Sequence, residues 1–413
     1  MKTISLFFLN IFFLSINLVF AQKTDIPCQK SMVEERLAEQ HPDYLLELER
    51  FYADIPRLET EGSHQERAVR VIPVVVHVIH QGTSIGVSHN LSESRVLNQI
   101  KVMNDDFRRK NTDANQTPAV FEDNAQDTQI EFELAAIDPN GNPTNGITRH
   151  QYSNVPNINY IEDVIKSQTY WNPAHYLNIW SVPPPEAENF ILGYSYMPTN
   201  MILGTHQDGV VVVSSRFGVS GVSKGRTATH EVGHYLGLAH VFGPENNLSG
   251  CQNDDGISDT PNCENAYFGC PSFPRSSCNS VDMFMNYMDY VDDDCMNLFT
   301  FGQSNVMNSV LNIARSSLIN NADNVLPVVD ADWSAAIDFF PNPASNYFSI
   351  QIATDLGKSP ITIRLMNTNG QVLQTIFNFD NERIDVSNLE NGLYFVEIQV
   401  ENKIFIKKMI VEK

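Results

Sequence analysis

His230-Glu231-Val232-Gly233-His234-Tyr235-Leu236-Gly237-Leu238-Ala239-His240 brings three imidazoles and one carboxylate into one short stretch of chain. On a helix, residues four apart share a face, so His230 and His234 can hold one metal ion through ring nitrogens at roughly 2.0–2.1 Å. Gly237 tolerates a positive φ, and the spacing predicts that it ends the helix and swings the chain round to deliver His240 as a third ligand. Three neutral protein ligands leave one position for water. A carboxylate beside them, Glu231, can take that water's proton as it attacks a carbonyl. The stretch therefore predicts a Zn2+ site for amide hydrolysis, with Glu231 as general base and then proton donor. A bare H-E-x-x-H also occurs on ordinary amphipathic helices whose histidines are merely solvated, but Gly237 and His240 at their spacings argue against that reading.

Upstream, Val71-Ile72-Pro73-Val74-Val75-Val76-His77-Val78-Ile79 is strongly β-branched and predicts a buried strand, followed by a helix from about Ser92 to Arg109. Further strands are expected at Gln129 to Ala135, Tyr176 to Val182 and Gly209 to Ser214, with a helix near Ile158 to Thr169. This is an α/β pattern ahead of the histidine helix. His77, His80 and His206 lie outside the motif and read as structural or surface residues. Downstream, Gly243 to Ser280 is dense in Gly, Asn, Asp, Cys and Pro, which predicts irregular chain needing clamps other than a ladder of hydrogen bonds. Its turn Asp254-Asp255-Gly256-Ile257-Ser258-Asp259-Thr260 is oxygen-rich and suits a hard cation such as Ca2+; a solvated acidic loop is the plain alternative. A helix from about Ser304 to Ile319 follows, then a linker from Asn320 to Ser334.

The extended histidine pattern resembles the metzincin metallopeptidases. Asn286-Tyr287-Met288-Asp289-Tyr290, Asp293-Asp294-Cys295-Met296 and Phe299-Thr300-Phe301-Gly302-Gln303 look like the pappalysin family within them, and the resemblance runs from about Arg70 to about Ala314. It implies an α/β (α+β) zincin-like catalytic domain and a protein or peptide substrate. It also implies that Met288 floors the metal site and that the strand at Gly209 to Ser214 is the sheet edge above the cleft, where a substrate backbone can pair. Disulfides Cys251 with Cys278 and Cys270 with Cys295 are implied likewise, as is calcium at Asp255 and Thr260. Asp293 matches the family's acidic residue at the base of the pocket for the side chain after the scissile bond; a buried carboxylate there selects arginine over lysine through a bidentate bond. Tyr290, two residues past Met288, is expected to donate its hydroxyl to the oxyanion or to approach the metal, with an ordinary packed aromatic as the alternative.

The two ends of the chain read differently. Met1-Lys2-Thr3 followed by the apolar run Ile4 to Phe20 and Ala21 reads as a secretory signal, residues 1–21. Residues 22–66 are polar and helix-forming at Met32 to Gln40 and Tyr44 to Ala53, an appendage that reads as a propeptide before a catalytic domain at 67–325. Cys28 stands alone in it, ahead of Arg67 and Arg70. A thiolate ligates zinc at about 2.3 Å, so Cys28 can fill the open position and keep a precursor silent. The family's small microbial precursors have a cysteine in a similar setting followed by an Arg-Leu pair, here Arg36-Leu37, although the usual glycine after it is Gln29. A Cys28–Cys263 disulfide is the rival expectation.

At the other end, Phe340-Pro341-Asn342-Pro343-Ala344, Leu389-Glu390-Asn391-Gly392-Leu393-Tyr394-Phe395 and Phe405-Ile406-Lys407-Lys408-Met409-Ile410-Val411 look like the C-terminal sorting domain of the type IX secretion system. That implies an all-β sandwich at 336–413 and the secretion machinery as a partner. The expected destination is outside the cell or on its surface, by way of the periplasm of a Gram-negative bacterium. With 27 Lys and Arg against 49 Asp and Glu, the net charge of −22 speaks against nucleic acid as a partner. No membrane span is expected in the mature protein. The competing functional class is a catalytically silent, metal-stabilised binding protein; three ligands with a retained Glu231 favour catalysis, since structural zinc usually takes four protein ligands.

Overall fold

The structure, a computed structural model, describes residues 26–28, 30–63, 68–187, 191–221, 223–244, 250–319, 337–352, 361–367, 372–377, 379, 383–400 and 403–413. The expected signal segment, the linker at 320–334 and Arg67 lie outside them. In chain order the first part contains β1 (Ile26–Cys28), α1 (Lys30–Gln40), α2 (Asp43–Ser63), β2 (Arg70–His80), α3 (Glu93–Phe107), β3 (Ile130–Leu134) and β4 (Ile147–Gln151). A helical stretch follows, α4 (Ile158–Tyr160) running through a π-turn (Ile161–Lys166) into α5 (Ser167–Thr169). Then come β5 (Leu177–Val182), β6 (Ile191–Ser195), β7 (Val210–Val213), α6 (Arg226–Tyr235), the hairpin of β8 (Ser276–Ser277) and β9 (Ser280–Val281), α7 (Phe301–Ile313) and α8 (Ser316–Ile319).

The seven-stranded sheet runs β1-β6-β7-β5-β2-β3, with β4 also paired to β2. β2 is buried along almost its whole length because parallel neighbours and helices cover both its faces, which is what its Val- and Ile-rich run encodes. One face packs on α3 and α6 through Val74, Val76, Ile100, Met103 and Val232. The other packs on the 158–169 stretch and α1 through Ile165, Trp180, Val211 and Val33.

Three elements depart from the sequence reading. The sheet edge is not the strand at Gly209 to Ser214: β7 lies between β5 and β6, and antiparallel β6 flanks it. Short, and interrupted by Gly193, β6 carries little strand signal, and the same holds for polar β4. Within the expected appendage, the described residues pack into the fold. β1 pairs with β6 in parallel, Cys28 opposite Gly193, and α2 continues through Pro56 to Ser63, lodging Ile55 and Leu58 in the main core. Packing outweighs the proline there: Gly62 has no room for a Cβ against the backbone of Asn305, and Ser309 donates to the Leu58 carbonyl at 2.7 Å. Finally, α7 starts at Phe301, ahead of the expected Ser304, because Thr300 and Gln303 close a capping box.

The C-terminal part is the expected sandwich. β10 (Ile337–Phe340), β11 (Tyr347–Ile352) and β14 (Ile384–Asp385) form one antiparallel sheet. β12 (Ile361–Met366), β13 (Val372–Ile376), β15 (Gly392–Val400) and β16 (Lys403–Val411) form the other, in the order β13-β12-β15-β16. Alternate residues Ile361, Ile363 and Leu365 of β12 point inward and share a core with Phe348, Ile350, Val396 and Met409. No helix among the described residues is long and apolar enough to cross a membrane.

Candidate metal centre

Every residue of α6 is buried, which fixes the histidine pair inside the protein rather than on a solvated face. After Leu236 the chain turns at Gly237, whose φ is +92°, and a Cβ there would lie 2.9 Å from both Phe51 and Val310. The turn delivers His240: its Nε2 stands 3.0 Å from Nε2 of His234 and 3.3 Å from Nε2 of His230. The outer nitrogens are committed elsewhere. His230 Nδ1 lies 2.7 Å from the Tyr287 carbonyl and His234 Nδ1 2.7 Å from that of Leu238. Each carbonyl can only accept, so both Nδ1 atoms carry the proton and both Nε2 lone pairs face inward.

Burial lowers the His230 pKa to about 4 and holds His234 and His240 well below the ordinary range, so all three imidazoles are neutral at pH 7. Three such nitrogens crowded together in a dry site repel one another until a cation joins them, and this donor set fits zinc. Among the described residues, Cys28, His230, His234 and His240 are the group of His, Cys, Asp or Glu side chains close enough to share an ion, their ligand atoms lying within 4.8 Å of one another.

The remaining expected residues fall as follows. Glu231 is fully buried beside the histidines, and the Cys28 thiol approaches its Oε2 at 3.5 Å. Met288 lies beneath α6, with its sulfur where a Cβ on Gly233 would be. The Tyr290 hydroxyl donates to the Cys28 carbonyl at 3.4 Å, and its ring centroid is 4.8 Å from that of His240. The disulfides Cys251–Cys278 and Cys270–Cys295 are both formed. Cys28 and Cys263 are not disulfide-bonded, so the rival pairing is absent; the Cys263 thiol donates to the Asn265 carbonyl instead, at 3.0 Å. His77 is a structural residue held between Thr148 and Asn178.

Two expectations change in detail. Asp293 is half-buried, not buried, because it sits between the exposed Asp292 and Asp294. Its Oδ2 accepts from the backbone N–H of Lys224 at 2.7 Å and of Arg226 at 3.3 Å, so it caps α6, where Gly225 has no side chain to do so. Asp255 and Thr260 are closed on each other, the Thr260 hydroxyl lying 2.7 and 2.8 Å from the two carboxylate oxygens.

Sequence reading missed the scaffold behind the histidines. The Arg226 guanidinium grips Asp113 through two contacts of 2.6 Å and reaches Asp106 at 3.3 Å. Asp106 also accepts from Thr229 and from the Tyr287 hydroxyl, both at 2.8 Å. Tyr287 in turn presents the carbonyl that orients His230. Burial pushes the Asp106 carboxyl up, to about 6, while the charge of Arg226 pulls it down. Nothing in the spacing of these residues marks them, since they come together only in the fold.

Comparison with known proteins agrees with this geometry. Residues 159–312 match the family described as pregnancy-associated plasma protein-A, and residues 338–412 match the secretion system C-terminal sorting domain. An extracellular metalloprotease of Colletotrichum graminicola is 32% identical over 266 residues, covering 60% of this chain and 81% of that protein. Extracellular metalloprotease 1 of Coccidioides posadasii is 46% identical over 128 residues, so the match spans less than half of that relative, 44%, and 29% of this chain. Among solved structures, mature mirolysin of Tannerella forsythia in complex with a cleaved peptide superposes with TM-score 0.58 at 40% identity, over 63% of this chain and all of that one. A promirolysin mutant from the same organism gives TM-score 0.63 at 37% identity, over 72% of this chain and 98% of that one.

Proposed function

We propose that this chain, which belongs to the pappalysin family of metallopeptidases, is a secreted zinc endopeptidase made as a latent precursor and cuts proteins before arginine, or more weakly lysine. The observation that carries the reading is the convergence of three Nε2 atoms beside the buried Glu231, on the helix that packs against β6. Zinc, when bound by His230, His234 and His240, supplies the Lewis acidity that makes a water nucleophilic at neutral pH and polarises the scissile carbonyl. Glu231 takes the proton of the attacking water and returns it to the leaving amine. Once the segment carrying Cys28 has gone, β6 offers its free edge to a substrate backbone, and the Tyr290 hydroxyl is released to donate to the oxygen on which negative charge develops. Met288 supports the histidine helix from below. Asp293, with one carboxylate oxygen engaged by the cap of α6, turns the other toward an arginine after the scissile bond.

Latency rests on Cys28. In the precursor β1 occupies the edge of β6, and the thiol stands where it can complete the ligand set of the three histidines. The segment is held elsewhere too: Arg36 binds Asn159 and Asp163, and Glu59 accepts from the Ser258 hydroxyl at 2.5 Å. Mature mirolysin covers 63% of this chain, about 260 residues, which supports a catalytic unit at 67–325 after removal of 22–66. Residues 1–21 serve as the signal for export to the periplasm of a Gram-negative bacterium, and the sandwich passes the protein on through a type IX machinery. Calcium at Asp255 and Thr260 belongs to the same reading, resting on the oxygen-rich turn in which both side chains are buried.

The test is metal removal from the mature protein with calcium kept present. A zinc chelator should abolish cleavage of casein, and stoichiometric zinc should restore it. Zinc-loaded protein that leaves casein and peptides intact would favour the silent binding protein.

A further inference from the structure

Strand β6 meets the histidine helix at one point where neither backbone can give way. A Cβ built on Gly193 would lie 2.9 Å from Cγ of Glu231, 3.0 Å from its Oε1 and 2.9 Å from Cγ2 of Thr227. Gly193 is buried and its φ is not in the left-handed region, so the glycine is not there for backbone conformation. What it supplies is space. Thr227 and Glu231 stand one turn apart on the same face of α6, so a side chain at 193 would press on both.

The neighbours decide which atom moves. The helix is fixed by the Nδ1 contacts of His230 and His234 with two carbonyls and by the Arg226 network at its start. Thr227, β-branched, has little rotamer freedom on a helix. The strand is held by β7 through Gly193↔Val212, with Tyr194 anchored to Glu162 at 2.9 Å. The Glu231 side chain is the soft partner, and its Cγ cannot move without carrying the carboxylate along.

We propose that Gly193 is a positioning residue for proteolysis: by lacking a side chain, it lets the sheet edge lie against α6 while the Glu231 carboxylate keeps its place beside the metal ligands. The inference rests on Glu231 being the general base. It also makes one residue serve two ends, since the backbone of Gly193 pairs with Cys28 in the precursor and is part of the edge offered to substrate afterwards. A larger residue here leaves the three histidines complete and displaces only the base.

Gly193→Ala, assayed as mature enzyme, tests this. The expected result is wild-type zinc content and far-ultraviolet circular dichroism, a 10- to 100-fold fall in kcat with KM within about threefold, and a shifted acidic limb of the pH–rate profile. Adding Thr227→Ser removes Cγ2, gives the alanine methyl somewhere to go, and should recover at least threefold of the lost kcat. If Gly193→Ala alone is poorly folded, the double variant carries the same pH measurement. An unchanged kcat and pH profile in Gly193→Ala overturns the proposal, as does a loss of activity explained entirely by lost zinc. Inactive wild-type enzyme would instead overturn the function on which it rests.

Discussion

Glutamine at position 231 would keep the length and polarity of the side chain while removing its basicity, so it separates proton transfer from metal binding. Glu231→Gln should bind zinc as wild type does and lose several orders of magnitude in kcat, read by metal analysis alongside peptide hydrolysis. Near-normal hydrolysis would remove Glu231 from the mechanism. At this scale much of the site was legible: the three histidines, Glu231 and the turn at Gly237 follow from helix periodicity and the conformational freedom of glycine. Asp106, Asp113, Arg226 and Thr229 were not, because they converge from α3, the following loop and α6 without a local pattern. The capping of α6 by Asp293 was not legible either, because it depends on Gly225, which the sequence does not connect with it.

Element boundaries show why the packing of the segment from Ile26 to Ser63 was not legible. Their helices were visible, but a three-residue strand such as β1 has no periodicity to detect, and its pairing with β6 is a tertiary fact. The family resemblance assigned the edge position to β7, whose sequence is all valine. Such a run marks an inner strand, whereas β6 has glycine where α6 approaches. The pairing of β1 with β6 yields a direct prediction for latency. Cys28→Ala should give a precursor that is active or matures early, since strand pairing and the Arg36 contacts remain but the ligand is gone. X-ray absorption of the zinc-loaded wild-type precursor should show one sulfur in the metal shell. A shell of nitrogen and oxygen alone would dismiss the thiol as the latch.

Across the whole molecule, the division into a mixed α/β unit and an all-β sandwich was legible from the change in pattern after α8, and the sandwich has its own core of Phe348, Ile363, Val396 and Met409. A unit with its own core can be removed without opening another. Deleting residues from Phe339 onward should therefore leave a folded, active peptidase that is no longer exported across the outer membrane. Loss of activity in the purified truncated protein would make the sandwich part of the enzyme, and normal export would reject its sorting role.

Cleavage of a diverse peptide library by the mature, zinc-loaded protein measures the central claim most directly, because it reads activity and the role of Asp293 together. The predicted profile is cleavage before arginine, weaker before lysine, with a preference that Asp293→Ala relaxes by roughly 10- to 100-fold, the scale of one lost charged hydrogen bond. Cleavage before large apolar residues would contradict the assignment of Asp293, and no cleavage at all would contradict the peptidase.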